Sequence, residues 1–505
     1  MKERIVILDF GSQYTHLIAR RVRELKTYAV ILPPDTPPED LADAKGIILS
    51  GGPWSVFEEG APFPHREIFE LGLPILGICY GLQILGKVFG GEVLSSKLRE
   101  YGGAEFFPGE DPIFKGLSKK TIVWMSHGDK LTKIPPEFKV IGKTLNSEFA
   151  AIKKGNIYGL QFHPEVTHTK EGKKILRNFL YSICKVEGEW TSSSFLKIAK
   201  DTIVNGYKGD GKAVLAYSGG VDSTVCAVLA RKILGEKFIP IFVDTGLLRK
   251  GEKEEIKMMA ERLSLGIRVI DGEKTFLDAL RGIVNPEEKR RIIGKKFIEL
   301  FEEEARKIGA KYLIQGTLYP DRIESMPSVG PSHTIKTHHN VGGLPENLNL
   351  ILIEPLKDFF KDEVRKIAKL LKIPKEFYKR HPFPGPGLAV RIIGEVTKER
   401  LEILREADYI FINTLKSLNL YNSIWQAFAI FVPVKTVGVM GDTRTYENLI
   451  ALRAVKSSDG MTADWFPFKK EALSNIARRI MNEVPGVNRV VYDVSSKPPA
   501  TIEWE

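Results

Sequence analysis

Ile75-Leu76-Gly77-Ile78-Cys79-Tyr80-Gly81 decides the fold of the first third of the chain. Ile75–Ile78 reads as a short buried strand, and Tyr80 to about Phe89 reads as a helix. A cysteine stands at the turn between them, with a glycine two residues to either side. Glycine lets the backbone reverse this sharply. A strand–nucleophile–helix turn is the elbow on which α/β enzymes expose a reactive side chain. A helix N-terminus favours the thiolate, the reactive form of a cysteine. On this reading the Tyr80 backbone N–H points at a developing oxyanion; a structural cysteine beside glycines is the plain alternative.

Working outward, Ile5–Leu8 and Gly46-Ile47-Ile48-Leu49 are further short apolar strands, so the first ~185 residues carry an α/β pattern. Ser50-Gly51-Gly52-Pro53 closes the second of these. A free N–H at Gly52 supplies a second oxyanion donor. Gln161-Phe162-His163-Pro164-Glu165 follows a strand-like Ile157–Leu160. Read as extended chain, residues i and i+2 share a face, which projects His163 and Glu165 together as a base and its orienter.

Small polar residues at Gly188 to Ser194 mark a linker, and a second α/β unit follows. Strand Ala213–Tyr217 runs into Ser218-Gly219-Gly220-Val221-Asp222-Ser223-Thr224 and then an apolar helix. Successive backbone N–H groups and a helix N-terminus form an anion cradle, and the hydroxyls add donors. The loop lacks the lysine of a Walker A sequence and the spacing of a dinucleotide fingerprint. The next strand, Phe238–Val243, ends at Asp244, where open sheets place their ligands. The run His381-Pro382-Phe383-Pro384-Gly385-Pro386-Gly387 breaks regular structure. After it, residues 386–505 mix helices with short Val/Ile-rich strands.

The bulk numbers bound these readings. A length of 505 residues with 43% hydrophobic content implies two to four domains. No apolar run reaches the ~18 residues of a membrane span, so no membrane partner is expected. Cys79, Cys184 and Cys226 are far apart and form no CxxC pair, which argues against a zinc site or disulfide framework and fits a reducing cytoplasm. The formal charge of +11 is compatible with nucleic acid, with anionic small substrates and with an ordinary Lys/Glu-rich surface.

Residues 1–187 resemble the class I glutamine amidotransferase domain. The resemblance implies Cys79 as nucleophile, His163 as base and Glu165 as orienting acid. Trp124-Met125-Ser126-His127-Gly128-Asp129 also resembles a signature near that family's site. The 218–224 loop resembles the PP-loop of the ATP pyrophosphatases, which implies that Ser218 to Thr224 and Asp244 bind ATP. Gly316 to Ser325, Thr334 to Pro345, the 381–387 run, Val439-Met440-Gly441-Asp442 and Lys497 to Glu505 together resemble the glutamine-hydrolysing GMP synthases. Ala389 is one departure, at a position where that family is expected to carry glycine.

What this resemblance implies is a reaction of XMP, ATP and glutamine giving GMP, AMP, pyrophosphate and glutamate, in guanine nucleotide biosynthesis. Its implied domains are a glutaminase (1–187), a PP-loop synthetase (188–385) and a C-terminal dimerisation and XMP-binding domain (386–505). The fold expectation is therefore α/β: two doubly wound α/β domains and a C-terminal α+β domain. Mg²⁺ is expected on the pyrophosphate. Asp321, Glu324 and Lys336 are lid candidates for metal, acid/base or phosphate work. His338 and His339 suit phosphate or lid packing better than a metal, since adjacent side chains diverge. Arg290, Asp442, Lys497 and Glu503 are the implied XMP contacts. A homodimer through the C-terminal domain is expected. An RNA-binding PP-loop protein is the rival, and the N-terminal glutaminase argues against it.

Overall fold

Strands Arg4–Leu8, Gly46–Leu49 and Ile75–Ile78 are buried at nearly every residue, the pattern of a parallel sheet covered on both faces. The computed structural model describes residues 3–324, 350–378, 380–440, 442–457 and 462–505. They divide into two compact units: residues 3–195 with 318–324, and residues 196–317 with the remainder.

The first unit is built on a nine-stranded sheet. Tyr28–Leu32, Arg4–Leu8, Gly46–Leu49, Ile75–Ile78 and Ile157–Leu160 lie side by side in that order and run parallel. Antiparallel strands Ala151–Lys154, Lys139–Thr144, Glu92–Pro108 and Thr121–Lys133 continue it. Because Gly46–Leu49, Ile75–Ile78 and Ile157–Leu160 are parallel neighbours, the segments that follow them emerge on one edge. Those segments carry Gly52, Cys79 and His163.

The second unit holds a five-stranded parallel sheet in the order Arg268–Asp271, Phe238–Asp244, Lys212–Ala216, Ala310–Ile314, Ile351–Ile353. Lys212–Ala216 is central and leads into the Ser218–Thr224 loop. A second sheet pairs Gln426–Met440 with Thr443–Lys456 as a long hairpin, with Val487–Tyr492 parallel to the latter. One hydrophobic cluster runs from Val214, Ile241 and Phe301 to Leu404, Phe431, Ile450 and Ile480. The two sheets of this unit therefore share a core. Among the described residues no helix is long and apolar enough to cross a membrane.

Candidate active sites

The turn at Cys79 is as tight as its glycines suggest. Cys79 sits at φ +53°, ψ −102°, immediately before helix Tyr80–Val88. A Cβ at Gly77 would come 2.6 Å from the Gly81 carbonyl, and one at Gly81 would come 2.5 Å from the Leu49 carbonyl oxygen. No other residue fits at either position, because both clashes are with backbone. The Cys79 N–H donates to Leu160 O at 2.7 Å, which ties the elbow to the strand leading to His163.

His163 and Glu165 do converge, but through a loop. The strand ends at Leu160, and residues 161–170 are turns. The expectation of a shared strand face is therefore corrected. Local bonds hold the loop instead: His163 N donates to Trp124 O at 3.0 Å, Thr169 Oγ1 donates to His163 O at 2.6 Å, and Arg21 Nε donates to Glu165 O at 3.0 Å. His163 Nδ1 lies 2.7 Å from Glu165 Oε1, with both residues buried. Burial works against a charged His163. The Glu165 carboxylate, the interaction with Cys79 and hydrogen bonds to both overcome it and raise the imidazole pKa well above its ordinary value. Base, orienter and thiol thus form one buried chain.

A Cβ on Gly51 would meet His163 Cε1 at 3.1 Å, and one on Gly52 would meet the Tyr80 ring at 3.3 Å. Gly52 and Tyr80 are accordingly close, as two oxyanion donors must be. Three neighbours were not foreseen. Ser126 O accepts from the Cys79 thiol at 3.6 Å, Gln161 Nε2 is 4.0 Å from Cys79 Sγ, and Gln83 Nε2 donates to Asp129 O at 2.9 Å. Of these only Ser126 had a signal, in the 124–129 resemblance.

In the second unit, Gly219 has φ +73° and Gly220 precedes helix Val221–Leu234. Ser218 Oγ and Ser223 Oγ are 3.0 Å apart, and Gly220 N donates to Ser218 Oγ at 3.3 Å. The hydroxyls brace the loop while the helix N-terminus opens outward, an anion-binding arrangement. Asp244 is buried, accepts from Gly246 N at 3.0 Å and pairs with Lys253. Lys361 Nζ stands 3.6 Å from Asp222 Oδ2. It opens helix Lys361–Leu370, 139 residues away in sequence, and no local signal pointed to it. Thr224 is buried beside Tyr217.

The other implied residues scatter. Asp321 accepts from Leu318 N at 3.0 Å at the start of helix Tyr319–Glu324, in the first unit. The Glu324 side chain, Lys336, His338 and His339 lie outside the described residues. Glu503 takes a fork from Arg391, Nε at 3.0 Å and Nη2 at 2.9 Å, and accepts from Gln426 Nε2 at 2.7 Å. Arg290 bonds the Glu505 backbone oxygen, and the Lys497 backbone pairs with Ala463. Asp442 is at the exposed tip of the 426–456 hairpin, whose other end carries Gln426. Fourteen residues at ~3.3 Å each put the tip roughly 45 Å from Gln426. Among the described residues no group of three or more His, Cys, Asp or Glu could hold a metal ion.

Three family models match: class I glutamine amidotransferase over residues 6–183, NAD synthase over 198–291 and the GMP synthase C-terminal domain over 413–504. The glutamine-hydrolysing GMP synthase of Aquifex aeolicus is 56% identical, with 99% of each chain covered. Those of Thermosipho melanesiensis and Chlorobium chlorochromatii are 57% and 52% identical over 99% and 100% of each chain. A solved putative GMP synthase subunit from Thermoplasma acidophilum is 33% identical, covering 37% of this chain and 95% of its own, at a TM-score of 0.34.

Proposed function

The chain belongs to the glutamine-hydrolysing GMP synthase family, and we propose that its two units divide the reaction, glutaminase in the first and synthetase in the second. It is an ATP-dependent ligase that takes nitrogen from glutamine and makes GMP. The observation that carries the residue assignment is the strained Cys79 elbow facing the buried His163–Glu165 pair.

Cys79 attacks the glutamine side-chain amide carbon while His163 takes the thiol proton and returns it to the departing ammonia. Glu165 holds the ring and stabilises its charge. The N–H groups of Gly52 and Tyr80 receive the oxyanion, and water then releases glutamate from the thioester. In the second unit, Ser218 to Thr224 grip the ATP phosphates, and Asp244 orients the nucleoside end. The XMP C2 oxygen attacks the α-phosphorus and pyrophosphate leaves. Ammonia then displaces AMP from C2. Lys361, beside Asp222, is placed to meet phosphate charge.

Mg²⁺ would neutralise the pyrophosphate. The donor set fits an ion held mainly by phosphate oxygens, with Asp222, in the first turn of helix Val221–Leu234, as the loop's own carboxylate. Arg290, Lys497 and Glu503 form the XMP end. Asp321 and Glu324, with Lys336, His338 and His339, are the lid residues, for metal, acid/base or phosphate work. The three functional domains remain 1–187, 188–385 and 386–505, and the free thiols support a reducing cytoplasm.

A homodimer through the C-terminal sheet is supported by its exposed apolar face. Val437, Val439 and Tyr446 are 45%, 75% and 57% exposed, and Val437 is directly opposite Tyr446. Asp442, at that end of the hairpin, reaches an XMP site only through a second copy. XMP-dependent pyrophosphate release and GMP formation, with glutamine or ammonium as nitrogen source, test the whole assignment. Glutamine-dependent turnover that survives Cys79→Ala would remove the first unit's role.

A further inference from the structure

His127 takes no part in the chemistry above, yet it is 5% exposed beside the nucleophile. Its Nδ1 lies 3.0 Å from the Asp129 carbonyl oxygen, and its Nε2 lies 3.3 Å from Glu100 Oε2. Both partners are acceptors. Each ring nitrogen thus faces an acceptor oxygen, and Nε2 lies at ion-pair distance from Glu100 without a hydrogen bond. Glu100, its side chain 13% exposed, is the carboxylate on the Nε2 side of the ring.

The register shows how Glu100 comes to be there. Ser95 pairs with Asp129, so a regular antiparallel ladder would set Lys97 opposite His127. The strand instead takes five steps, Ser95 to Glu100, where its partner takes two, Asp129 to His127. This register shift brings Glu100 opposite His127. Among the described residues, Glu100 from the opposite strand meets the ring, and the neutral Gln83 from the nucleophile helix shares its Asp129 acceptor. Neutral Asn146 reaches Glu100 at 3.5 Å from the 145–150 loop.

The Asp129 carbonyl receives both His127 Nδ1 and Gln83 Nε2. Gln83 thus fastens the hairpin to helix Tyr80–Val88, at a carbonyl that His127 also holds. The residue before it, Ser126, presents the carbonyl that meets the Cys79 thiol. From this juxtaposition we propose that His127, paired with Glu100, is a positioning residue for glutamine hydrolysis: it fixes residues 126–129 against Cys79. The proposal rests on the Cys79 assignment.

The test uses the full-length enzyme with Cys79→Ala as a control. His127→Phe and Glu100→Gln are each expected to lower glutamine-dependent kcat/KM at least tenfold, and the double variant no further, as for residues acting as a unit. Ammonia-dependent GMP formation stays at the parent level. The loss is expected in kcat, with the glutamine KM within about threefold of the parent, because the thiol's surroundings and not substrate binding are disturbed. A glutamine-dependent kcat/KM within twofold of the parent in both single variants, or a loss carried by KM alone, overturns the positioning role. If Cys79→Ala still uses glutamine, the underlying site is wrong; if it does not and the His127 variants are normal, only this proposal fails.

Discussion

Cys79 holds a positive φ that a residue with a side chain avoids, at a cost of order 1–3 kcal/mol. The sheet tolerates it because Gly77 and Gly81 let three backbones meet there. That strain aims one thiol at one imidazole, and its removal should be selective. Cys79→Ala is expected to lose glutamine-dependent GMP formation and keep ammonia-dependent formation. Parallel assays with glutamine and ammonium check this; a folded variant that ammonium does not rescue would show that the division of labour is wrong. A second expectation concerns Glu165. Burial opposes His163 charging, and the carboxylate, with Cys79, reverses that balance. Glu165→Gln removes the carboxylate's upward pull, so the His163 pKa falls and the acidic limb of the glutaminase pH profile, where the base must lose its proton, moves to lower pH. A limb that stays in place contradicts the pairing. At this scale much was legible. The Cys–Gly spacing is local, and so is the two-residue step from His163 to Glu165. The loop that joins those two was not, because bonds from Arg21, Trp124 and Thr169 determine it.

Strand–loop–helix units carry the phosphate chemistry, and here the sequence speaks through close approaches. A Cβ at Gly219 would lie 2.6 Å from Ile256 Cγ1, at a φ of +73°. Gly219→Ala should therefore distort the loop and lower synthesis with both nitrogen sources. Asp222→Ala and Ser223→Ala should do the same, each by ~2–4 kcal/mol in transition-state stabilisation. Retained ammonia-dependent turnover in any of them would contradict the loop's role. The 381–387 run offers a test of stability. His381 stacks on Tyr421 at 3.8 Å; its Nε2 donates to Tyr421 O, and its Nδ1 accepts from Ala427 N. Burial, chiefly, lowers its pKa to about 4. Between pH 6.5 and 4 the unfolded chain binds a proton that the folded one refuses, so stability falls with pH across that window, by ~3 kcal/mol from this residue. Denaturant melts of His381→Gln should show a shallower decline. The Pro/Gly breaks were readable here; the long 92–133 hairpin was not, because its antiparallel strands are assigned by pairing and not by periodicity. Lys361 was hidden for the same reason, since its place beside Asp222 is a tertiary fact.

At the scale of the whole molecule the C-terminal tail is bound by buried cations. Lys289 reaches Glu505, Arg391 forks to Glu503, and Arg453 donates to the carbonyls of Ser495, Thr501 and Ile502. All three cationic side chains are fully buried, and their partners lie 216, 112 and about 50 residues away. Such pairings leave no trace in local sequence; the tail was legible only as a resemblance. They also change what Glu503 is expected to do. A glutamine there keeps the volume but leaves Arg391 buried without its counter-charge, and breaking a buried pair from one side costs ~3–5 kcal/mol. Glu503→Gln should therefore melt at a lower temperature even if XMP never touches residue 503. XMP binding must be read separately, through the ligand's own effect. A ligand that binds the native state raises Tm in proportion to its affinity. If Glu503 also grips the purine, the XMP-induced rise in Tm should shrink and the XMP KM should increase, while basal glutaminase activity of the first unit is unchanged. An undiminished XMP-induced shift with an unchanged KM leaves Glu503 as the counter-ion of Arg391 alone.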